Sequence, residues 1–268
     1  MTRSHFSGRA ASLYTALGLG YAFLYLPIVL LVIYSFNASR LVTVWGGFST
    51  HWYGELLHDD KVLDAAWLSL KVAVTTATLA TILGTLASVL LVRFKRYPGS
   101  TLFAGMIAAP LVMPEIITGL AMLLLFVSME QAIGWPAGRS MTTIVIAHVT
   151  FCLSFVTVVV RSRLSQMDLS LEEAAMDLGA RPLKVFLVIT LPLIAPALIA
   201  GWLLAFTLSV DDLVISSFVT GPSATTLPIV IFSKVRLGVS PEINALASVF
   251  VAVVGVAIAV GGTLSRKN

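Results

Sequence analysis

Three acidic residues stand where charge is expensive: Glu115 inside the apolar run 102–128, and Asp211 with Asp212 near the end of the run 193–218. A carboxylate near the centre of a bilayer costs at least ~2.5–3.5 kcal/mol on insertion scales, so it faces a cavity, a pathway or a partner. Glu115 lies about thirteen residues into its run, roughly 20 Å of helical rise from one end, just after Pro110 and Pro114. Prolines free backbone carbonyls and interrupt helices, and interrupted helices at mid-depth line transport sites. A carboxylate beside freed carbonyls suits an ammonium group. The alternative is a Glu115 that pairs with a basic group of a partner chain, or stays protonated and buried. Asp211 and Asp212 point about 100° apart on a helix, so at most one faces a pathway squarely; either one alternatively caps a following helix or is solvated at the interface. Trp202 and Phe206 precede Asp211 by nine and five residues. They offer aromatic faces to a cation, or simply pack within the span.

Other chemistry is missing. No glycine directly precedes a lysine, so there is no P-loop, and neither a His-Glu-x-x-His helix nor a Gly-x-Ser-x-Gly elbow occurs. The four histidines (His5, His51, His58, His148) make no ligand spacing, and His148 reads as a packed residue bonded to a neighbouring helix rather than as a proton relay. Cys152 is the lone cysteine. No catalytic or metal-binding set is expected, and uphill work needs a partner's energy.

The elements that position these residues are membrane spans. Of 268 residues, 58% are hydrophobic and 11% charged, against roughly 25% charged in soluble domains. Six apolar segments are long enough to cross a bilayer: about 13–36, 66–92, 102–128, 141–164, 193–218 and 244–264. Alternation of the barrel type is absent, so an all-α integral membrane chain is expected, with residues 1–268 forming one domain. The run from Leu13 to Phe36 is too long for a secretion signal and reads as a retained first helix. With a cytoplasmic N-terminus, Arg3, Arg9, Arg93, Lys95, Arg96, Arg161, Arg163, Arg181, Lys184, Arg266 and Lys267 fall inside, and Arg40, Lys61, Lys71, Arg139, Lys234 and Arg236 outside. That bias follows the positive-inside rule and places both termini in the cytoplasm. It also accounts for the net charge of +4 without nucleic acid. Acidic residues show the reverse bias, so the outer face is negative and favours cations. The first outer loop carries Trp45, Phe48, Trp52 and Tyr53, then Glu55, Asp59, Asp60 and Asp64. The aromatics read as interfacial belt residues, with an acidic docking surface as the alternative.

The inner connection 165–192 contains DLSLEEAAMDLGARPLKVFLVITLP from Asp168 to Pro192. Ser170 followed by Glu173 reads as a capping box. Leu171, Ala174, Ala175 and Leu178 form an apolar stripe, Gly179 suits the residue beyond a helix C-terminus, and Pro182 opens a second short helix into the fifth span. Such an elbow suits a partner's groove or, alternatively, the headgroup layer. The spacing Glu173-Ala174-Ala175, Gly179, Ile189, Leu191-Pro192 resembles the EAA signature of permease subunits of bacterial ABC importers. Tyr34-Ser35-Phe36-Asn37, Pro110-Leu111-Val112-Met113-Pro114-Glu115, Ser209-Val210-Asp211-Asp212 and Ser240-Pro241-Glu242-Ile243-Asn244-Ala245 are similar to the polyamine branch, in its putrescine-importing form.

That resemblance implies a type I importer permease fold with cytoplasmic coupling helices, in a bacterial inner membrane. It implies a second homologous permease, two copies of a cytoplasmic ATPase that holds ATP and Mg, and a periplasmic polyamine-binding protein. Glu173, Ala174, Ala175 and Gly179 become the ATPase-coupling residues. Glu115, Asp211, Asp212, Trp202 and Phe206 remain the pathway candidates. Spermidine, ferric ion and a sugar are rival cargoes. An intramembrane enzyme lacks paired mid-span groups, and a purely anchoring membrane protein is the remaining alternative.

Overall fold

The computed structural model describes residues 4–41, 44–94, 97–222, 224–237 and 241–252. Regular structure among them is helical, with isolated bridges at Asn37–Phe48 and Gly221–Ala224. In chain order the helices are α1 (Ser4–Tyr34), α2 (His51–Leu56), α3 (Asp60–Arg93), α4 (Ser100–Val112), α5 (Glu115–Ile133), α6 (Met141–Ser165), α7 (Ser170–Asp177) and α8 (Pro182–Val185). A π-helical turn, Phe186–Thr190, then leads into α9 (Leu191–Val210), followed by α10 (Val214–Val219) and α11 (Leu227–Leu237); α12 is Pro241–Ala252.

Among the described residues, five helical stretches are long and apolar enough to cross a membrane: Ser12–Tyr34, Asp60–Arg93, Glu115–Ile133, Met141–Ser165 and Pro182–Val210. Two expected spans are interrupted. The third divides into α4 and α5 because Pro114 has no N–H and forces Met113 into extended backbone (φ −80°, ψ 135°). The fifth does not run to 218: α9 ends at Val210, and residues 211–213 turn the chain into α10. The expected sixth span is described only as far as Ala252; its remainder lies outside the described residues. So do Arg3, Lys95, Arg96, Arg266 and Lys267 of the charge argument, and Ser240.

The chain divides into two compact units, one of Met1–Leu63 with Ile231–Asn268 and one of Asp64–Val230. In the second unit α6 is the central helix. Its Ile144, Ala147, Cys152, Val156, Val160 and Leu164 are buried, as are Ile194 and Ala205 of α9 and Ile215 and Val219 of α10. Lipid tails are as apolar as leucine, so close packing and hydrogen bonds hold these helices rather than transfer from water. Gly119 shows the consequence: a Cβ there would stand 2.6 Å from Phe218 and 3.3 Å from the Ile215 Cα, so α5 meets α10 backbone to backbone.

In the first unit Asn37 is the hub of the loop after α1. Buried completely, it donates from Nδ2 to the Val44 carbonyl at 2.8 Å and accepts at Oδ1 from the Gly46 amide at 2.7 Å. Its own carbonyl accepts the Trp52 indole N–H at 2.6 Å. Trp52 is therefore a core residue of this loop, not a belt residue, whereas Trp45 and Phe48 are exposed.

Candidate functional site

Two breaks lie side by side in the second unit. Gly119 of α5 meets Ile215 and Phe218 of α10, and farther along α5, Leu123, Leu124 and Val127 share a groove with Pro222. The two helices therefore run in the same direction, and their N-termini, Glu115 and the residues just before Val214, lie at one end. Glu115 is the first residue of α5. A carboxylate there offsets the positive end of the helix, so its place has a local reason besides any cargo. It is exposed, and among the described residues it forms no hydrogen bond or ion pair. Pro110 and Pro114 leave the carbonyls of Met106 and Pro110 without helical donors, beside the same break.

Asp212 has a different fate from Asp211. Its Oδ2 accepts the Ser216 amide at 2.7 Å and its Oδ1 the Ile215 amide at 3.2 Å, which caps α10. The same Oδ2 lies 3.1 Å from His148 Nε2, and both side chains are nearly inaccessible. His148 also meets the Ser216 hydroxyl at 3.0 Å through Nε2 and the Ser209 hydroxyl at 2.8 Å through Nδ1. One imidazole thus ties α6 to α9 and α10, as the packed reading of His148 expected. Asp211 ends α9, is exposed and carries no ion pair among the described residues. Of the adjacent pair, only Asp211 leaves its carboxylate open.

Trp202 and Phe206 stack with ring centroids 5.3 Å apart and planes 11° from parallel. The indole N–H of Trp202 donates to Thr78 on α3 at 3.2 Å. Both rings are half-buried against the core, so packing occupies part of their surface. Glu115, Asp211 and the Trp202–Phe206 pair remain open, and Asp212 is consumed by the fold.

The elbow departs from expectation at its start. Ser170 is the first helical residue of α7, not its cap; its amide donates to Asp168 Oδ1 at 3.0 Å. That bond holds the Asp168 carboxyl below the usual range. The Ser170–Glu173 capping box does not form, because Asp168 takes the Ser170 amide and the Leu169 carbonyl takes the Glu173 amide at 3.0 Å. The end matches expectation. Gly179 has φ +87°, the Ala180 amide reaches the Ala175 carbonyl at 3.0 Å, and the Gly179 amide reaches Met176 at 2.8 Å, which is the Schellman pattern. No residue of α7 is buried. Leu171 and Leu178 are exposed, Leu178 by 90%, and Glu173 and Ala174 are exposed with them while Ala175 is half-covered.

Sequence reasoning missed the residues that hold this elbow. Glu172 Oε1 accepts from Arg93 Nη2 at 2.7 Å and from the Thr190 hydroxyl at 2.7 Å. A basic last turn on α3 was visible, but its partner lies 79 residues away. In the first unit, Asp59 similarly binds Lys234 at 2.5 Å, and Lys234 binds Glu242 at 2.6 Å. The Lys234 hydrogen bond draws the Asp59 carboxyl below its ordinary range. Partial burial opposes the Lys234 charge, but Asp59 and Glu242 outweigh it and raise that ammonium. The acidic residues of this unit are thus partly neutralised by Lys234.

Residues 80–266 match the binding-protein-dependent transport system inner membrane components. The chain belongs to this family. It is an inner-membrane permease, a transport subunit and not an enzyme. The permease is 66% identical over 238 residues to the putrescine transport system permease protein PotI of Escherichia coli K12, covering 89% of this chain and 85% of that one. It is 46% identical over 229 residues to the spermidine/putrescine transport system permease protein PotC of the same strain, covering 85% and 84%. A chain from the crystal structure of a bacterial ABC transporter involved in import of the acidic polysaccharide alginate shares the fold, with a TM-score of 0.63 at 20% identity over 99% of this permease and 98% of that chain.

Proposed function

We propose that this permease passes a polyamine, putrescine in the first place, from periplasm to cytoplasm as one half of an ATP-driven importer's membrane channel. The observation that carries the reading is the 66% identity to PotI along nearly the whole chain. The 46% identity to PotC keeps spermidine as the second cargo. Residues 1–268 act as one permease domain, with both termini on the cytoplasmic side.

The chemistry of this chain fits a diammonium cargo. Glu115 and Asp211 supply open carboxylates near two helix breaks, and the carbonyls freed by the prolines accept N–H groups. Trp202 and Phe206 offer aromatic edge and face to the intervening methylenes and to the cation. Asp212 serves this site indirectly, by fixing the break that presents Asp211. The exposed α7 docks on a cytoplasmic ATPase through Glu173, Ala174, Ala175 and Gly179, and two such ATPases hold the ATP and Mg. A homologous permease completes the path, and a periplasmic binding protein delivers the cargo. ATPase closure then draws the elbows together and opens the spans outward.

The test is uptake of labelled putrescine and spermidine by the reconstituted complex. ATP-dependent accumulation of putrescine is expected, falling when Glu115 or Asp211 is changed to its amide. Absence of uptake of either polyamine, with another cargo accumulating instead, would overturn the assignment.

A further inference from the structure

We propose that Glu172 is a positioning residue for transport: its carboxylate locks the docking helix α7 to the ends of two spans, so that motion imposed on α7 moves α3 and α9 together. This rests on the reading of α7 as the ATPase-docking helix, but it concerns the residue beside the signature rather than the signature itself.

Apolar burial does not secure α7. No residue of α7 is buried, and a cavity of about 290 Å³ lies between it, the end of α3 and the π turn, lined in part by Val89, Phe94, Met176 and Phe186. An amphipathic segment over such a space swings at its ends unless something directional ties it. The tie is one oxygen. Glu172 Oε1 takes Arg93 from the last turn of α3 and Thr190 from the π turn, both at 2.7 Å. Glu172 and Arg93 are only 14% and 17% exposed, so water screens the pair weakly and the charge-assisted bonds are strong.

Thr190 supplies a second, independent sign. Thr78, Thr85, Thr150, Thr157 and Thr207 each donate to the carbonyl four residues back on their own helix. Thr190, buried, instead donates to a side chain of another helix, and it does so from a π turn. A π turn widens the helix and re-aims side chains, and such turns gather at working positions.

The experiment uses the full reconstituted importer and reads two quantities on each variant, polyamine uptake and ATP hydrolysis. Glu172→Gln and Thr190→Val leave α7's exposed face intact. Uptake per ATP hydrolysed is expected to fall about tenfold in Glu172→Gln, as for the loss of a typical coupling term, and about threefold in Thr190→Val. The exchange Arg93→Glu with Glu172→Arg should recover a large part of that ratio, which a mere loss of stability does not predict. If Glu172→Gln yields no complex, Thr190→Val decides by the same ratio, since it keeps the ion pair. A ratio within about twofold of wild type in the assembled variants overturns the proposal, as does a parallel fall of both activities. Co-purification of the ATPase tests docking separately: Glu172→Gln should retain it, and failure of the wild-type chain to retain it sinks the docking reading itself.

Discussion

The elbow and the α9–α10 break each carry two adjacent acidic residues, and each divides them the same way. At the elbow Glu172 turns inward to Arg93 and Thr190, while Glu173 stays exposed. At the break Asp212 turns inward to His148 and two backbone amides, while Asp211 stays exposed. In α7 neighbours point about 100° apart, and at the break the chain turns between α9 and α10; in both places one acidic residue fastens the chain and its neighbour stays open. The segment before α3 repeats the arrangement with Asp59 bound to Lys234 and Asp60 exposed. What differs is the anchor. The break uses a buried imidazole and amides within a packed bundle, whereas the elbow relies on one ion pair and one hydroxyl bond beside a cavity.

That difference ranks the expected effects. Asp212→Ala removes a helix cap and leaves a buried imidazole short of a partner, together worth about 2–4 kcal/mol. Thermal unfolding in detergent should show it, while Asp211→Ala should stay within about 0.5 kcal/mol and lower only uptake; equal destabilisation by both would break the comparison. Next comes Gly179→Val, which forces a branched residue into left-handed backbone at about 1–2 kcal/mol. Its readout is loss of the ATPase from the purified complex, with the transmembrane bundle's melting unchanged. Glu173→Gln should weaken ATPase binding about tenfold without altering unfolding, and an effect on unfolding instead would mean that Glu173 faces inward.

The smallest effect belongs to the Asp59–Lys234–Glu242 clamp. The Asp59 carboxyl is depressed, so its stabilising share is present above its ordinary value of 3.8 and disappears as pH falls through the lower folded value. Lys234 is raised, so its share is complete below 10.5 and is lost as pH climbs through the higher folded value. Stability attributable to the clamp should therefore be flat across the neutral range and decline at both extremes, by under about 1 kcal/mol. Subtracting the pH profile of Lys234→Met isolates it.

Much of this was legible from local pattern alone. Apolar runs located the long helices among the described residues but not the interruptions at 113–114 and 211–213; Pro114 marks the break before α5 and Gly179 the end of α7, because each of these is settled by a few neighbouring residues. The break at 211–213 has no proline to announce it; it follows from Asp212 capping an amide four residues on. Ser170 reads as a cap but lies inside α7, because Asp168, two residues earlier, takes its amide in place of Glu173. The partners of Glu172 and His148 were hidden for another reason. They lie 79 and 18, and 61 to 68, residues away, and only the packed bundle brings them within reach. Which member of each acidic doublet turns inward is decided by those distant donors.

The π turn at Phe186–Thr190 also fixes something about chain length. It holds one residue more per turn than the helix on either side, so it sets the angular phase between the elbow and the span that follows. Removing a single residue there rewinds the turn to α geometry and keeps that phase, whereas removing one from α9, which holds no extra residue, rotates everything before it by roughly 100°. Helix α7 would then face sideways with its own sequence untouched. A one-residue deletion is therefore expected to damage the importer more in α9 than within the π turn itself.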